Sequence, residues 1–392
     1  MKKIILLGAS GSIGKQTIDI LKEHIDKLEL VGVSVGTNTD YLRELLNEFN
    51  LKYVYSINKV EELSLQYPDT IFYFGDDGLE KIASVDDYDL LVNALVGFVG
   101  FKPTLTAINN KKDIALANKE TLVAGGEIIM NAVKENGVNL LPIDSEHSAF
   151  LQCMQGHNKH DIKHLIITAS GGAFRDKTRE ELKNVTLDDA LKHPTWSMGT
   201  KITIDCATMM NKGFEIIEAH YLFDIPFENI EPVIHTESII HSMVEYKDGT
   251  VMAQMSDPDM RLPIRYALLY PNNTSDNCVK YMDFTKAINL DFKPVDYNRY
   301  PLVKLAKSLG GFGGNFGSIL IGANDEAVDL FIKGRIKFVE IEDYVIRTLK
   351  EAHYVKSPSA DELIEYNSWA RDFVRNTWAN NKWVEWLLFY YL

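Results

Sequence analysis

Three things are scarce in this chain, and each scarcity excludes a class of protein. No segment reaches the roughly 20 apolar residues that span a bilayer, so a membrane-embedded protein is not expected. The apolar, aromatic ending Trp383 to Leu392 is only half that length, and burial against the body or a second subunit is its expected fate. Positive charge is also short: 41 Lys and Arg face 55 Asp and Glu, for a net charge of −14. With no basic stripe in view, a nucleic-acid partner is not expected, although a local basic spot could hold a small anion. Cysteine is the third. Cys153, Cys206 and Cys278 are odd in number and widely spaced, which fits a reducing cytoplasm better than a disulfide scaffold. The start Met1-Lys2-Lys3 is followed by an apolar run that stops at Gly8, too short for a signal segment, and Ile4 to Leu7 is read as a first strand.

What is present describes a globular protein. Its 392 residues, 46% hydrophobic and 24% charged, suggest two or three domains and require no large disordered region. Ile4 to Leu7 enters Gly8-Ala9-Ser10-Gly11-Ser12-Ile13-Gly14 and then a helical pattern. Strand, glycine turn and helix N-terminus in that order form an anion cradle, because free amides and the helix dipole face the turn. Leu28 to Val35 reads as a second strand, followed by Gly36-Thr37-Asn38 with no acidic residue. An acid there would repel a 2′-phosphate, so its absence leans toward NADP. Further apolar runs at Ile71 to Phe74, Asp89 to Ala94 and Asp113 to Ala117 alternate with helical stretches, as a doubly wound parallel sheet requires. An α/β domain that binds no nucleotide is the competing reading.

The chemistry centres on Pro142-Ile143-Asp144-Ser145-Glu146-His147. If the run Val138 to Leu141 is a strand, Asp144 and Glu146 at its end point the same way, and a hard divalent ion such as Mg2+ or Mn2+ would relieve their repulsion. A solvated acidic turn is the bland alternative. Glu215 offers a third carboxylate from a helix expected from about Ala207 onward, with Asn211 and Lys212 beside it on one face. Lys with Asn suits a phosphate, and Glu suits a metal; a surface ion pair between Lys212 and Glu215 is the competing reading. Asn118-Lys119-Glu120 ends one strand at the ligand-binding edge of the sheet. Ala169 to Ala173 could form an anion nest around Ser170 or a plain turn. His193 to Gly199 is a loop whose Trp196 and Met198 must cover something, either a substrate beneath a lid or a packing gap. His235 and His241 lie near a hairpin made by Val244 to Tyr246 and Val251 to Met255. From Tyr300 onward the pattern is helical.

The segments GASGSIG, NKE, LPIDSEH, SGGAFRD, HPTWSMG and ATMMNKGFEIIEA, with the histidine of IIHSM, resemble in content and order those of the 1-deoxy-D-xylulose 5-phosphate reductoisomerase family. Asn315 to Phe338 is similar to the family's C-terminal helical segment. The resemblance implies an α/β architecture: an N-terminal Rossmann-like doubly wound parallel sheet over 1–145, and a central α+β catalytic domain over 146–270 with a flexible lid at 193–200. A linker over 271–299 and a C-terminal α-helical domain over 300–392 would follow. It implies a metal on Asp144, Glu146 and Glu215, and NADPH lined by Gly8, Ser10, Gly11, Ser12, Ile13, Gly36, Thr37, Asn38, Asn118, Glu120 and Gly199. The sugar phosphate would meet Lys119, Ser145, Glu146, Ser170, His193, Trp196, Met198, Cys206, Asn211, Lys212, Glu215 and His241. Catalytic work would fall to Lys119, the three carboxylates, His193 and Trp196. A cytoplasmic homodimer is expected.

Two positions depart from the family pattern. Cys206 replaces the usual phosphate-contacting Ser, and a thiol is a poor donor; Thr37 replaces a Lys that many members carry near the 2′-phosphate. Two rival functions stay open on the residues alone. One is an NADP-dependent semialdehyde or homoserine-type dehydrogenase, and the other a nucleotide-sensing regulator without catalysis.

Overall fold

The computed structural model describes residues 1–196, 198–272 and 279–391, with side chains up to residue 380. Seven parallel strands form the first sheet: β1 (Lys2–Leu7), β2 (Leu28–Val35), β3 (Tyr53–Ser56), β4 (Ile71–Tyr73), β5 (Leu90–Asn93), β6 (Asp113–Leu116) and β7 (Leu140–Pro142). Their order is β4-β3-β2-β1-β5-β6-β7. Ile4, Ile5, Leu6 and Leu7 are all fully buried, because helices cover both faces of a parallel sheet and no side of β1 meets water. Each such aliphatic side chain contributes about 1.5–3 kcal/mol. Strand order reverses between β1 and β5, so a crevice opens where Gly8 and Ala94 leave their strands, the position at which such sheets bind ligands. The sequence reading has no strand at β3, whose Tyr-Val-Tyr-Ser is too short to show a period.

The second sheet is mixed. It comprises β8 (Ile162–Ala169), β9 (Ile230–Ile234), β10 (Ile240–Tyr246), β11 (Val251–Met255) and β12 (Lys293–Pro294), in the order β11-β10-β8-β9-β12. β8 and β9 run parallel, and the expected hairpin is the antiparallel pair β10 and β11. β12 lies inside the stretch expected as a linker and pairs with β9, so that stretch supplies a sheet edge. Residues 273–278 of the same stretch, Cys278 among them, lie outside the described residues.

One expectation is overturned here. β7 ends at Pro142 and a helix starts at Ser145, so Asp144 and Glu146 are not strand neighbours. Asp144 is the N-cap residue of the Ser145–Cys153 helix, and Glu146 stands in its first turn. Both carboxylates therefore sit at the positive end of that helix, where the dipole stabilises them.

The helices Pro301–Gly310, Phe316–Ile332, Glu340–Glu351 and Ala360–Tyr391 follow. They share one apolar core with the second sheet, in which Phe150, Ile204 and Phe214 meet Ile321, Val345 and Val374. The Phe316–Ile332 helix is buried on nearly every side, and its close crossings need small residues. A Cβ at Gly317 would lie 1.8 Å from the Val123 carbonyl oxygen, and one at Gly322 would lie 2.4 Å from that of Asn367. Among the described residues no helix is long and apolar enough to cross a membrane. The side chains of the apolar tail from Trp383 lie outside the described residues.

Candidate active site

Two ligand-binding features converge on the carboxyl edge of the first sheet. The glycine turn after β1 is the first. Gly8 has φ +85°, and a Cβ there would meet the Ala94 carbonyl oxygen at 2.5 Å. Its amide donates to Ser34 Oγ at 2.8 Å, while the Gly11 amide donates to the Gly8 carbonyl at 3.0 Å and closes the turn. Gly14 lets the following helix pack directly on this turn, since a Cβ there would fall 2.2 Å from the Gly8 carbonyl oxygen. The helix begins at Ser12 with no side-chain cap and no acid in its first turn, so its amides and positive end remain directed toward the crevice. Ser10 and Ile13 are partly buried at the turn, and Gly11 and Ser12 are exposed. After β2, Gly36 is partly buried while Thr37 and Asn38 are exposed; Asn38 Oδ1 accepts the Tyr41 amide at 3.0 Å and caps the next helix.

The second feature is the carboxylate group. Asp144, Glu146 and Glu215 each bring an oxygen within 4.8 Å of the others'. Glu215 comes from the Met210–Phe223 helix, which is separated from the Thr200–Thr208 helix by the left-handed, buried Met209 (φ 62°). That break leaves Asn211 and Lys212 in the first turn of the second helix, with Glu215 one turn on. Lys119 Nζ reaches Asp144 Oδ2 at 2.7 Å, Glu215 Oε1 at 3.0 Å and Asn211 Oδ1 at 2.8 Å. Lys212 Nζ binds Glu146 Oε1 at 2.7 Å and also pairs with Glu215 Oε2. Asn211 and Ser145 donate side-chain hydrogen bonds to Glu215 and Glu146 respectively. The Lys212 ion pair is thus buried, not a surface feature.

Charge accounting shows what this cluster can hold. Three carboxylates face two ammonium groups within one buried pocket. Burial, then the charge of Glu215, pushes Glu146 up to about 7, and Lys212 offsets this only in part. Burial opposes ionisation of Asp144 too, but the Lys119 ammonium outweighs it and holds that carboxyl well below the usual range. Burial alone would neutralise Lys119, yet Asp144, Glu215 and Glu218 together keep its pKa well above normal. Asp144 Oδ2 and Glu215 Oε2 receive no well-directed hydrogen bond although ammonium groups lie within ion-pair range. Three converging carboxylates, two of them with an oxygen that receives no hydrogen bond, fit a hard divalent cation.

Behind the cluster lie two buried residues that sequence reading missed. His147 Nε2 donates to the Glu215 carbonyl at 2.8 Å, which leaves Nδ1 facing Glu218 Oε2 at 3.6 Å. Burial, then the charge of Asp144, pushes the Glu218 carboxyl upward. The available signals were helical spacings: His147 is three residues after Asp144 and Glu218 three after Glu215.

On the other side, Ser170 Oγ accepts the Gly172 amide at 3.2 Å and lies 3.0 Å from His193 Nε2. His193 Nδ1 accepts the Trp196 amide at 2.9 Å, which places the ring proton on Nε2, facing Ser170. Burial, with Arg175 nearby, lowers His193 to about 4, so the ring is neutral. The Trp196 and His241 rings lie 6.3 Å apart, and Met198 is partly buried in the same loop; Ser197 is outside the described residues. His241 Nε2 pairs with Ser256 Oγ at 2.9 Å, and burial lowers it to about 4. His235 accepts the Ile239 and Ile240 amides and serves the turn before β10. Cys206 is half-buried within electrostatic reach of Glu215, its thiol raised by burial and then by that carboxylate. Gly172 abuts it, because a Cβ there would lie 2.4 Å from the Cys206 carbonyl oxygen.

Asn118 and Glu120 build the wall of the crevice. Asn118 Nδ2 donates to the Leu95 carbonyl at 3.0 Å and the Gly97 carbonyl at 2.9 Å, and Glu120 Oε1 accepts the Gly97 amide at 3.3 Å. Gly199 caps the Thr200–Thr208 helix through its carbonyl.

Three domain families match the chain. They are 1-deoxy-D-xylulose 5-phosphate reductoisomerase over residues 4–126, its C-terminal domain over 140–223, and the DXP reductoisomerase C-terminal domain over 255–373. A curated 1-deoxy-D-xylulose 5-phosphate reductoisomerase of Geobacillus sp. (strain WCH70) is 48% identical over 379 residues, covering 96% of this chain and all of the relative. The protein of that description from Exiguobacterium sibiricum is 47% identical over 378 residues, 95% of this chain and 98% of its own. A solved DOX-P reductoisomerase in complex with NADPH, fosmidomycin and magnesium superposes with a TM-score of 0.92 at 34% identity, over 97% of this chain and 99% of that one. The Zymomonas mobilis enzyme in complex with NADPH gives 0.88 at 36% identity, over 96% and 99%.

Proposed function

Because this chain belongs to the 1-deoxy-D-xylulose 5-phosphate reductoisomerase family, we propose that Asp144, Glu146 and Glu215 hold the divalent ion and that the Gly8–Gly14 turn cradles the pyrophosphate of NADPH. The protein is an NADPH-dependent reductoisomerase that converts 1-deoxy-D-xylulose 5-phosphate to 2-C-methyl-D-erythritol 4-phosphate. The observation that carries the site assignment is the meeting of three carboxylate oxygens within 4.8 Å. When bound, the ion supplies Lewis acidity toward the ketone and adjacent hydroxyl of the sugar during skeletal rearrangement, and NADPH supplies the hydride.

The remaining roles belong to the chain's own groups. Lys119, bridging Asp144 and Glu215, orients those carboxylates and offers its ammonium to a sugar oxygen. Ser145 holds Glu146 in place through its hydroxyl. Ser170, Asn211 and Lys212 surround the position proposed for the phosphate, and the neutral Nε2–H of His193 directs the Ser170 hydroxyl toward it. Trp196 and Met198, with His241 beneath the indole, would cover the substrate and exclude water. Binding energy from the unreactive phosphate then serves to close the 193–200 loop. Gly36, Thr37, Asn38, Asn118, Glu120 and Gly199 complete the proposed cofactor lining.

The finer assignments are proposals of the same kind. Either Mg2+ or Mn2+ suits the all-oxygen set. A homodimer is supported by β11, an edge strand that exposes Val251 and Met252 to 48% and 41%, a condition that edge strands rarely keep in isolation. A cytoplasmic location is supported by the sparse cysteines.

Following NADPH absorbance with 1-deoxy-D-xylulose 5-phosphate tests the whole reading. Turnover should vanish after exhaustive chelation and return with Mg2+ or Mn2+. Undiminished turnover in chelator would instead remove the divalent ion from the role proposed for Asp144, Glu146 and Glu215. Cys206→Ser supplies a finer check. Restoring a hydroxyl donor beside the phosphate should lower the Michaelis constant about two- to fivefold, equivalent to roughly 0.5–1 kcal/mol of hydrogen bonding. An unchanged or raised value would place the thiol away from the phosphate.

A further inference from the structure

Lys201 occupies a position that its own helix opposes. It stands in the first turn of the Thr200–Thr208 helix, two residues after Gly199, where the helix dipole disfavours a cation. Its ammonium is nonetheless drawn inward to three carboxylates from three parts of the chain. Asp205 Oδ2 is 2.8 Å away on its own helix, Asp325 Oδ1 is 3.0 Å away on the Phe316–Ile332 helix, and Glu120 Oε1 is 3.4 Å away at the wall of the cofactor crevice. All three carboxylates are nearly buried, with side-chain exposures of 3%, 9% and 9%.

Each partner is itself anchored. Asp205 Oδ1 accepts Asn324 Nδ2 at 2.8 Å, and Asp325 is held from behind by Arg371 of the Ala360–Tyr391 helix. Glu120 Oε1 accepts the Gly97 amide, so the ammonium and the loop that follows β5 share one oxygen. Gly97 has φ +78°, and a Cβ there would lie 3.6 Å from Asp325 Oδ2. The same loop presents Val96 and Val99, 72% and 54% exposed, beside the crevice. Apolar side chains so exposed at a ligand cleft suit an aromatic ring laid against them.

We infer that Lys201 is a positioning residue, an ionic strut that fixes the end of the 193–200 loop and the Leu95–Gly100 loop relative to each other, with the C-terminal helices as its abutment. It touches neither the proposed metal ligands nor the proposed phosphate site. Its effect passes through Glu120 and Gly97 to the wall of the proposed cofactor crevice. The C-terminal helices thereby take part in cofactor binding without contacting the cofactor. This inference rests on the cofactor reading given above.

The test compares Lys201→Met, Lys201→Arg and Asp325→Asn in the full-length chain, measuring NADPH affinity by fluorescence titration, steady-state kinetics and melting temperature. Lys201→Met should weaken NADPH binding about tenfold while kcat at saturating NADPH falls by less than about threefold, the split expected when placement rather than chemistry is lost. Asp325→Asn, one ion pair behind Lys201, should weaken it about threefold, and Lys201→Arg should stay within about threefold of the parent because the charge is kept though the geometry differs. A merely structural residue would lower melting temperature and leave the dissociation constant alone. NADPH binding within twofold of the parent in both Lys201→Met and Asp325→Asn would overturn the strut. A parent chain that neither binds NADPH nor turns over would overturn the functional reading with it, whereas an active parent with unaltered variants overturns the strut alone.

Discussion

Glu215→Gln should abolish metal-dependent turnover, with kcat falling by about a thousandfold or more, while the NADPH dissociation constant stays within about twofold of the parent. Glu215 is the one carboxylate of the three that both lysines share, Lys119 through Oε1 and Lys212 through Oε2. Replacing it with a neutral amide removes one charged oxygen donor from the proposed ion site and frees both ammonium groups to reorient. Glutamine keeps the side-chain length, so the first-turn contact with Asn211 can persist and the fold need not collapse. The glycine turn after β1 belongs to the other end of the site and should be indifferent. Single-turnover measurement with Mg2+ and titration of NADPH on the same preparation separate the two effects. Normal turnover in this variant would refute the three-carboxylate assignment.

Gly14→Ala should do the converse, weakening NADPH at least about tenfold, which corresponds to about 1.4 kcal/mol. The added methyl would lie 2.2 Å from the Gly8 carbonyl oxygen and 2.6 Å from that of Ala9, and neither is a flexible side-chain tip that could swing aside. The helix must therefore slide off the turn, and overpacking of this kind costs about 1–3 kcal/mol. With the helix goes the row of amides at the position proposed for the pyrophosphate. Divalent-ion binding, measured by titration with Mn2+, should change little, since Asp144, Glu146 and Glu215 lie on other elements. Unimpaired NADPH affinity would show that the turn is not the cradle.

The parts of this molecule most readable from sequence were those whose signal is local. β1 emerges from the unbroken apolar run Ile4 to Leu7, β2 from a Leu- and Val-rich segment, and the β10–β11 hairpin from two apolar segments around Lys247 to Thr250. The neighbourhood of Asp144 was harder. The short apolar run Val138 to Leu141 suggested a strand that continued, while the Ser145–Cys153 helix opens with Ser-Glu-His-Ser and shows its apolar residues only from Ala149. Asp144 is followed three residues later by His147, not by the Glu or Gln that would mark a capping box. The expected convergence of Asp144 with Glu146 is present even so, because a helix start can gather the two as well as a strand end. The Lys201 cluster was invisible for another reason. Its carboxylates at 120, 205 and 325 belong to segments that approach only when the sheet and the C-terminal helices pack, and no periodicity links them.

The helix that begins at Ser145 has a consequence for how tightly the ion is kept. Asp144 and Glu146 rest against its positive pole, and two ammonium groups already attend the same oxygens, so much of their negative charge is spoken for before any cation arrives. A cation would have to compete for that charge, so its affinity should be lower than three unpaired carboxylates would give. The proposed site would thus be closer to a berth than to a mooring, its occupancy set by the ion concentration in the surrounding electrolyte.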